Sequence, residues 1–150
     1  MNKTKKIVYF DMDNVLVNFQ SGIDQLSDYQ LKSYKNDYDE VPGIFGTMKP
    51  NEDMVDLFNT MLEDERYDCY ILSTSPWNNP SAATDKVKWV QQYIPNAYKR
   101  LILSHNKNLN IGDYLIDDRT ANGAGEFSGK LLQYGGEDYN SDTLRKYFKV

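Results

Sequence analysis

Two pairs of carboxylates stand at positions where they could act together. Asp11 and Asp13 come directly after a short apolar run, and a second pair, Asp117-Asp118, follows another such run. In an extended segment, side chains two residues apart point to the same face, so Asp11 and Asp13 could face one site. Converging carboxylates repel one another unless a cation neutralises them, and oxygen ligands suit Mg²⁺. Either pair alone is more typical of a turn or a helix N-cap, but the joint placement predicts a metal site.

Two further segments could bind an anion. The run Ser73-Thr74-Ser75-Pro76 follows a third apolar stretch and offers hydroxyl groups and backbone N–H groups near the start of a predicted helix, which is a natural seat for phosphate. An N-cap followed by a strand-breaking proline would explain the same residues. Lys107 follows a fourth apolar stretch by a few residues, although a lone lysine is usually a solvated surface charge. The order of acid pair, hydroxyl, lysine and acid pair is more informative than any of its parts.

The apolar stretches that carry these groups predict a buried sheet. They are continuous rather than alternating, which is typical of strands covered on both faces of a parallel sheet. The predicted strands are Ile7–Phe10, Tyr70–Leu72, Leu101–Leu103, Tyr114–Ile116 and Lys130–Tyr134. Apolar residues at helical spacing lie between them, in Phe19/Ile23/Leu26, Met54/Leu57/Phe58/Met61/Leu62, Ala83/Val87/Val90/Ile94 and Leu144/Tyr147/Phe148. This alternation predicts an α/β fold with a doubly wound, mainly parallel, Rossmann-like sheet, whose ligand crevice lies at the carboxyl ends of the strands.

The connection after the first strand is unusually long. About 60 residues separate the first two predicted strands, whereas a crossover needs about a dozen or more. A small inserted helical cap at residues 17–65 would explain this length, with residues 1–16 and 66–150 forming the core. A plain long crossover is the alternative.

Composition limits the partners that the protein can have. The chain of 150 residues carries a net charge of −5, which argues against coating a long nucleic acid or binding an anionic membrane. A small anionic ligand is not excluded, because a bound cation inverts the local field. The single cysteine, Cys69, lies in an apolar run and predicts a buried structural thiol. The N-terminal apolar run is too short for a signal peptide, so we expect a cytoplasmic protein.

The four motifs in this order resemble those of the haloacid dehalogenase (HAD) superfamily of phosphatases. Their details are similar to the 5′(3′)-deoxyribonucleotidase family and its bacterial and phage members. The resemblance extends from about residue 6 to residue 136. The stretches that carry it are Phe10–Val17, Pro42–Phe45, Ser73–Trp77 and Arg100–Arg119. One departure is Asn14, which stands where the mammalian members have glycine, although asparagine tolerates similar backbone angles.

The resemblance implies a role for each matched carboxylate. Asp11 would be the nucleophile that forms an aspartyl-phosphate, and Asp13 the general acid and base. Mg²⁺ would be held by Asp11, the backbone carbonyl of Asp13 and Asp118, with Asp117 close by.

The resemblance also implies contacts to the substrate. Thr74 and Lys107 would bind the phosphoryl oxygens, and Ser75 and Arg119 would contact the phosphate or its surroundings. Three aromatic residues, Phe19, Phe45 and Trp77, would line the site of the nucleobase. Phe19 also fits a packed residue of the cap.

We therefore predict a Mg²⁺-dependent phosphomonoesterase that acts on 5′-(deoxy)ribonucleoside monophosphates. The alternatives are a HAD phosphatase for another small metabolite or for a nucleic-acid 3′-phosphate end, and a non-catalytic nucleotide-binding relative. We expect a small phosphorylated substrate and neither a membrane nor a long nucleic acid as partner. The sequence does not decide whether the chain forms a homodimer.

Overall fold

The computed structural model describes residues 4–150 and contains a central sheet of five parallel strands. Residues 1–3 of the predicted core lie outside the described part. Strands β2 (Val17–Asn18) and β3 (Lys49–Pro50) form a separate small sheet. The strands of the large sheet are β1 (Lys6–Phe10), β4 (Tyr67–Ser73), β5 (Leu101–Leu103), β6 (Tyr114–Asp117) and β7 (Lys130–Gln133). In the large sheet they run in the order β5-β4-β1-β6-β7. The predicted doubly wound α/β fold is confirmed.

Strand β1 lies in the middle of this sheet because its residues are apolar on both faces. It pairs in parallel with β4 on one side and with β6 on the other. Val8 and Phe10 are fully buried, and Phe10 packs edge-on against Phe58 at 5.1 Å between ring centroids. The strand order reverses direction at β1. Its carboxyl end is therefore the switch point at which sheets of this kind place their ligand crevice.

Residues 4–150 also contain five α-helices and five short 3₁₀ turns. The helices are α1 (Phe19–Ile23), α2 (Asp28–Ser33), α3 (Glu52–Glu63), α4 (Ser81–Tyr93) and α5 (Ser141–Phe148). The 3₁₀ turns are Tyr38–Glu40, Ile44–Gly46, Pro95–Ala97, Lys107–Leu109 and Ala124–Glu126. At the start of α2, Ser27 and Gln30 form a reciprocal capping box.

The buried face of α4 differs from the predicted one. The sequence pattern placed Ala83 and Val87 on that face, but Val87 is 42% exposed. The buried residues are Ala82, Lys86, Trp89 and Val90. The helix is turned toward Trp89, whose indole N–H donates to the carbonyl of Met48 at 2.9 Å.

Helix α1 is shorter than the predicted stripe. It ends at Ile23, so Leu26 lies beyond the helix on which the apolar spacing had placed it. Gly22 lies within this helix, where a Cβ would come 2.8 Å from the side chain of Met48. The close packing of this turn brings the helix onto the segment Ile44–Gly46.

The long connection after β1 forms two different kinds of structure. Strands β2 and β3 pair antiparallel and bring together the two ends of the segment that carries α1 and α2. Helix α3 follows this pair and packs against β4, with Leu57 and Phe58 fully buried. The boundaries predicted for a cap, residues 17 and 65, remain a prediction. The structure places α3, which that division assigned to the cap, directly on the sheet.

Cys69 is buried and free, and burial raises the pKa of its thiol to about 12. This agrees with a structural thiol. Across residues 4–150, the helices are too short or too polar for any of them to cross a membrane.

Candidate active site

Three carboxylates meet where β1 and β6 end side by side. Asp11 directly follows β1, its backbone N–H donates to the carbonyl of Ile116 in β6 at 2.9 Å, and Asp117 closes β6. One carboxylate oxygen each from Asp11, Asp117 and Asp118 lie within 4.8 Å of one another. Asp11 and Asp117 are only 5% and 2% exposed. The sheet thus brings together the two acid pairs that are about a hundred residues apart in sequence.

Lys107 lies between two of these carboxylates. Its Nζ is 3.0 Å from Oδ1 of Asp11 and 2.6 Å from Oδ2 of Asp117, and the side chain is buried. Burial alone would lower the pKa of this amine, but the charges of Asp11 and Asp117 outweigh that effect and raise it. Lys107 is therefore a permanent cation at the strand ends, and its backbone N–H, bonded to the carbonyl of Asn122 at 2.8 Å, fixes its position.

The carboxylates carry more negative charge than Lys107 can balance. Burial raises the pKa of Asp11 well above its usual range, and the neighbouring charges of Asp117 and Asp13 act in the same direction, although Lys107 opposes them. Burial, followed by the charge of Asp117, also raises the pKa of Asp118. These shifts mean that the buried site favours an additional positive charge.

The oxygen atoms left without partners fit a hard cation. Oδ1 of Asp118 is buried and has no hydrogen-bond partner. Both oxygens of Asp117 are taken, Oδ2 by Lys107 and Oδ1 by the backbone N–H of Arg119 at 3.0 Å. A cluster of carboxylate oxygens of this kind suits Mg²⁺ or Ca²⁺. Of the Asp117-Asp118 pair, Asp118 is the residue with an oxygen available to an ion.

A tight loop after β1 places the second carboxylate of the first motif. The carbonyl of Met12 accepts the backbone N–H groups of residues 15–17, and Asn14 has a φ of 64°. Asparagine is one of the few residues that adopt this left-handed conformation readily, as expected from the sequence. The loop turns the Asp13 side chain toward a cavity beside the carboxylate cluster.

Sequence reasoning missed Lys86, which binds Asp13. Its side chain is completely buried, and its Nζ donates to Oδ2 of Asp13 at 3.1 Å, to Oγ of Ser73 at 2.7 Å and to the carbonyl of Thr74 at 2.8 Å. The signal available in the sequence was a lysine four residues from both Ala82 and Val90, on what proves to be the buried face of α4. A buried lysine needs polar partners, and here they belong to two of the predicted motifs.

The hydroxyl segment after β4 has a partly different role from the predicted one. Thr74 lines the cavity, and its hydroxyl donates to the carbonyl of Ser104 at 2.8 Å. Ser75 does not line the cavity. Helix α4 begins only at Ser81, so the segment does not form the first turn of that helix.

A cavity of 580 Å³ opens next to these groups. Asp13, Thr74 and Arg119 line it together with segment 36–40, which belongs to the predicted cap. His105 also lines the cavity. The volume is within the range of about 300–1,000 Å³ that is usual for small-molecule sites.

The three predicted aromatic residues occupy different positions. Phe19 lines the cavity and is half-buried, whereas Trp77 is 83% exposed at the rim, with its ring centroid 5.7 Å from that of His105. Phe45 is only 2% exposed and does not line the cavity. It packs edge-on behind Phe19 at 6.0 Å and covers Lys86 at 4.5 Å, so its predicted contact with the nucleobase stays a prediction.

Comparisons with known proteins point to one family. A family model described as 5′ nucleotidase, deoxy (Pyrimidine), cytosolic type C protein matches residues 27–144. This range contains the strand ends at Thr74, Lys107 and Asp117 but begins after Asp11 and Asp13.

Individual relatives extend the similarity to most of the chain. A protein of Vibrio phage KVP40, named as a 5′(3′)-deoxyribonucleotidase, is 55% identical over 136 residues, which are 90% of this chain and 79% of the phage protein. The 5′(3′)-deoxyribonucleotidase of Bacillus subtilis is 25% identical over 76% of each chain. The cytosolic type from Homo sapiens is 28% identical over 53% of this chain and 40% of its own length.

Proposed function

Because the chain belongs to the family of 5′ nucleotidases described as deoxy (pyrimidine), cytosolic type C, and is thus a phosphoric monoester hydrolase, we propose that it converts 5′-deoxyribonucleoside monophosphates to nucleoside and phosphate. The observation that carries this proposal is the cavity itself. Its lining combines Thr74 and two residues close to the buried carboxylate cluster in sequence, Asp13 and Arg119, with Phe19 and segment 36–40. A phosphate and a nucleoside need these two kinds of environment.

Asp11 is the proposed nucleophile. Lys107 donates to its Oδ1, which leaves Oδ2 for the bond to phosphorus. Formation of that bond breaks the bond from phosphorus to the sugar oxygen and gives an aspartyl-phosphate. The cation of Lys107 favours the ionised form of Asp11, which the attack requires and which burial disfavours.

Asp13 is the proposed general acid and base. In the first step it gives its proton to the departing sugar oxygen. In the second step it removes a proton from the water that attacks phosphorus, which releases phosphate and regenerates Asp11. Lys86 holds one oxygen of Asp13 at 3.1 Å, and the other oxygen, Oδ1, is buried and has no hydrogen-bond partner.

The proposed metal is Mg²⁺, held by Asp11, Asp118 and the backbone carbonyl of Asp13. Its charge would neutralise the carboxylates and the phosphoryl oxygens when it is bound. Asp117 would orient Lys107 rather than bind the ion, because both of its oxygens already accept hydrogen bonds. Asp118 is chosen over Asp117 because its Oδ1 has no hydrogen-bond partner.

The remaining groups would hold the substrate. Thr74, Lys107 and Arg119 would contact the phosphate, with Ser75 next to them in the same loop. Phe19 would stack on the nucleobase, a contact worth about 1–3 kcal/mol and tolerant of different bases. Trp77 would cover the base from the rim. We also propose that the protein is cytoplasmic and has no long nucleic acid as a partner.

A panel of substrates tests the proposed function. We expect release of phosphate from deoxyribonucleoside monophosphates to exceed release from sugar phosphates and from 3′-phosphorylated oligonucleotides. Phe19→Leu should lower kcat/KM for the nucleotides about tenfold and leave hydrolysis of p-nitrophenyl phosphate nearly unchanged. Equal rates on sugar phosphates and nucleotides would contradict the substrate class and leave the phosphatase chemistry intact.

A further inference from the structure

Lys107 lies in a connection that has little regular structure of its own. Between β5 and β6 there is one 3₁₀ turn of three residues, Lys107–Leu109, and no α-helix. Asn106, which precedes this turn, makes no capping hydrogen bond with its side chain. A lysine side chain is also a flexible four-carbon stem. The contacts of its Nζ with Asp11 and Asp117 therefore depend on support for the Lys107 backbone from outside this connection.

That support comes from a turn that follows the second acid pair. The backbone N–H of Ala124 donates to the carbonyl of Ala121 at 3.1 Å. The two residues between them, Asn122 and Gly123, have φ angles of 55° and 82°. Positive φ at both central positions is characteristic of a type I′ turn, for which Asn-Gly is a preferred pair. The carbonyl of Asn122 accepts the backbone N–H of Lys107 at 2.8 Å, so the turn contacts Lys107 at its backbone.

Gly123 approaches the same backbone so closely that a side chain has no room. A Cβ at this position would lie 3.0 Å from the backbone nitrogen of Lys107 and 3.0 Å from that of Asn108, and it would overlap Oδ1 of Asn108. The side chain of Asn108 is exposed and can turn away, but the two backbone nitrogens move only if the loop moves. A side chain at position 123 would therefore displace Lys107.

We propose that the Asn122-Gly123 turn positions Lys107 for the reaction, and that Asn122 and Gly123 are positioning residues that act through its cation. The inference rests on the proposed function, in which Lys107 binds Asp11 and the phosphoryl oxygens. The turn follows Asp118 within a few residues. One short segment thus fixes both a candidate metal ligand and the cation beside it.

Alanine at Gly123 tests the close approach, and Gly135 provides the matched control. Gly135 has a φ of 87°, but a Cβ there has nothing within 4 Å. Both alanine variants carry the cost of a left-handed backbone, whereas only Gly123→Ala forces the Lys107 backbone to move. We expect Gly123→Ala to lower kcat roughly 10- to 100-fold, the loss that a displacement of about 1 Å causes, and Gly135→Ala to keep the kcat of the unaltered protein. Equal kcat in the two folded variants would overturn the inference.

Two variants of Asn122 separate its backbone from its side chain, which lines the cavity and would otherwise be a candidate contact to the substrate. Asn122→Gly keeps the left-handed backbone and removes the side chain, so its kcat should stay close to that of the unaltered protein. Asn122→Val disfavours this backbone, so its kcat should fall about tenfold. Loss of activity in folded Asn122→Gly protein would overturn the inference, and so would an unchanged kcat in Asn122→Val.

A double substitution shows whether the turn acts through Lys107. Lys107→Met removes the cation, so adding Gly123→Ala should not lower the residual hydrolysis of p-nitrophenyl phosphate any further. Losses that multiply would show that the turn acts elsewhere and would overturn the inference. Unchanged turnover in Lys107→Met would refute the proposed role of Lys107 and the inference with it. Hydrolysis of p-nitrophenyl phosphate but of no nucleotide by the unaltered protein would instead refute the proposed substrate and leave this comparison valid.

Discussion

Each carboxylate of the first acid pair is bound by a different buried lysine. Lys107 binds Asp11 and Lys86 binds Asp13, each at about 3 Å. Lys107 could be found from the sequence because it follows a strand in the order expected of the motifs. Sequence reasoning missed Lys86, because it lies within a helix whose buried face was predicted one residue away. At the scale of single residues, charge balance at this site is therefore distributed over two elements.

Replacing Lys86 tests whether it positions Asp13. We expect Lys86→Met to lower kcat by roughly 10- to 100-fold with little change in KM, because a general acid that moves by about 1 Å loses activity on this scale. Steady-state kinetics with a nucleotide substrate measure both constants, and circular dichroism checks the fold.

Lys88→Met is the control, since Lys88 is exposed two residues further along the same helix. It should behave as the unaltered protein. An unchanged kcat in a folded Lys86→Met protein would show that the ion pair with Asp13 is not needed for the reaction.

At the scale of elements, the short apolar runs predicted the sheet well. Strand β5 has the predicted limits, and β1 differs by one residue at its start. Strands β1, β4 and β6 end in continuous buried runs that their sequence alone identifies, whereas the edge strand β5 is only partly buried. The sequence predicts a cap segment but not how it packs. Its packing depends on Asn79 and on Phe45, whose contacts lie on distant parts of the chain and leave no periodic pattern.

Gly129 fixes how β7 joins β6. A Cβ at this position would lie 2.6 Å from the carbonyl oxygen of Asp113, which cannot move without disturbing the ladder, since it accepts the backbone N–H of Lys130. We expect Gly129→Ala to lower the free energy of unfolding by about 1–3 kcal/mol, measured by urea denaturation.

Gly136→Ala provides the matched comparison, because a Cβ at Gly136 has open space around it. It should change the free energy of unfolding by less than about 0.5 kcal/mol. Equal stability of the two variants would contradict the close approach of the two strands at Gly129.

At the scale of the whole molecule, the net charge of −5 has two different origins. Most of the 22 acidic residues are at the surface, whereas Asp11, Asp117 and Asp118 are gathered at the centre of the sheet. Composition excluded a nucleic-acid coat but could not show this separation, which depends on the strand order. The acidic centre destabilises the fold unless a cation is bound there.

Thermal unfolding measures how much the acidic centre destabilises the fold. With Mg²⁺ at a hundred times its Kd, binding to the folded protein alone is worth about 2.7 kcal/mol, which should raise Tm by about 5–10 °C. In Asp118→Asn, the loss of a half-buried carboxylate charge beside Asp11 and Asp117 should raise Tm without Mg²⁺ and abolish most of the increase on its addition. Asp56→Asn, which changes an exposed aspartate on α3, should respond to Mg²⁺ as the unaltered protein does. A Tm increase that is the same in all three proteins would contradict an ion at this site.

In the proposed mechanism, Asp11 bonds covalently to the phosphoryl group. Acid quenching within the first turnover, with a nucleotide substrate labelled in its phosphate, measures this directly when followed by identification of the labelled peptide. We predict transient label on the peptide that contains Asp11, and neither label nor turnover in Asp11→Asn. Full turnover with no labelled protein at any time, or undiminished hydrolysis by Asp11→Asn, would contradict the account.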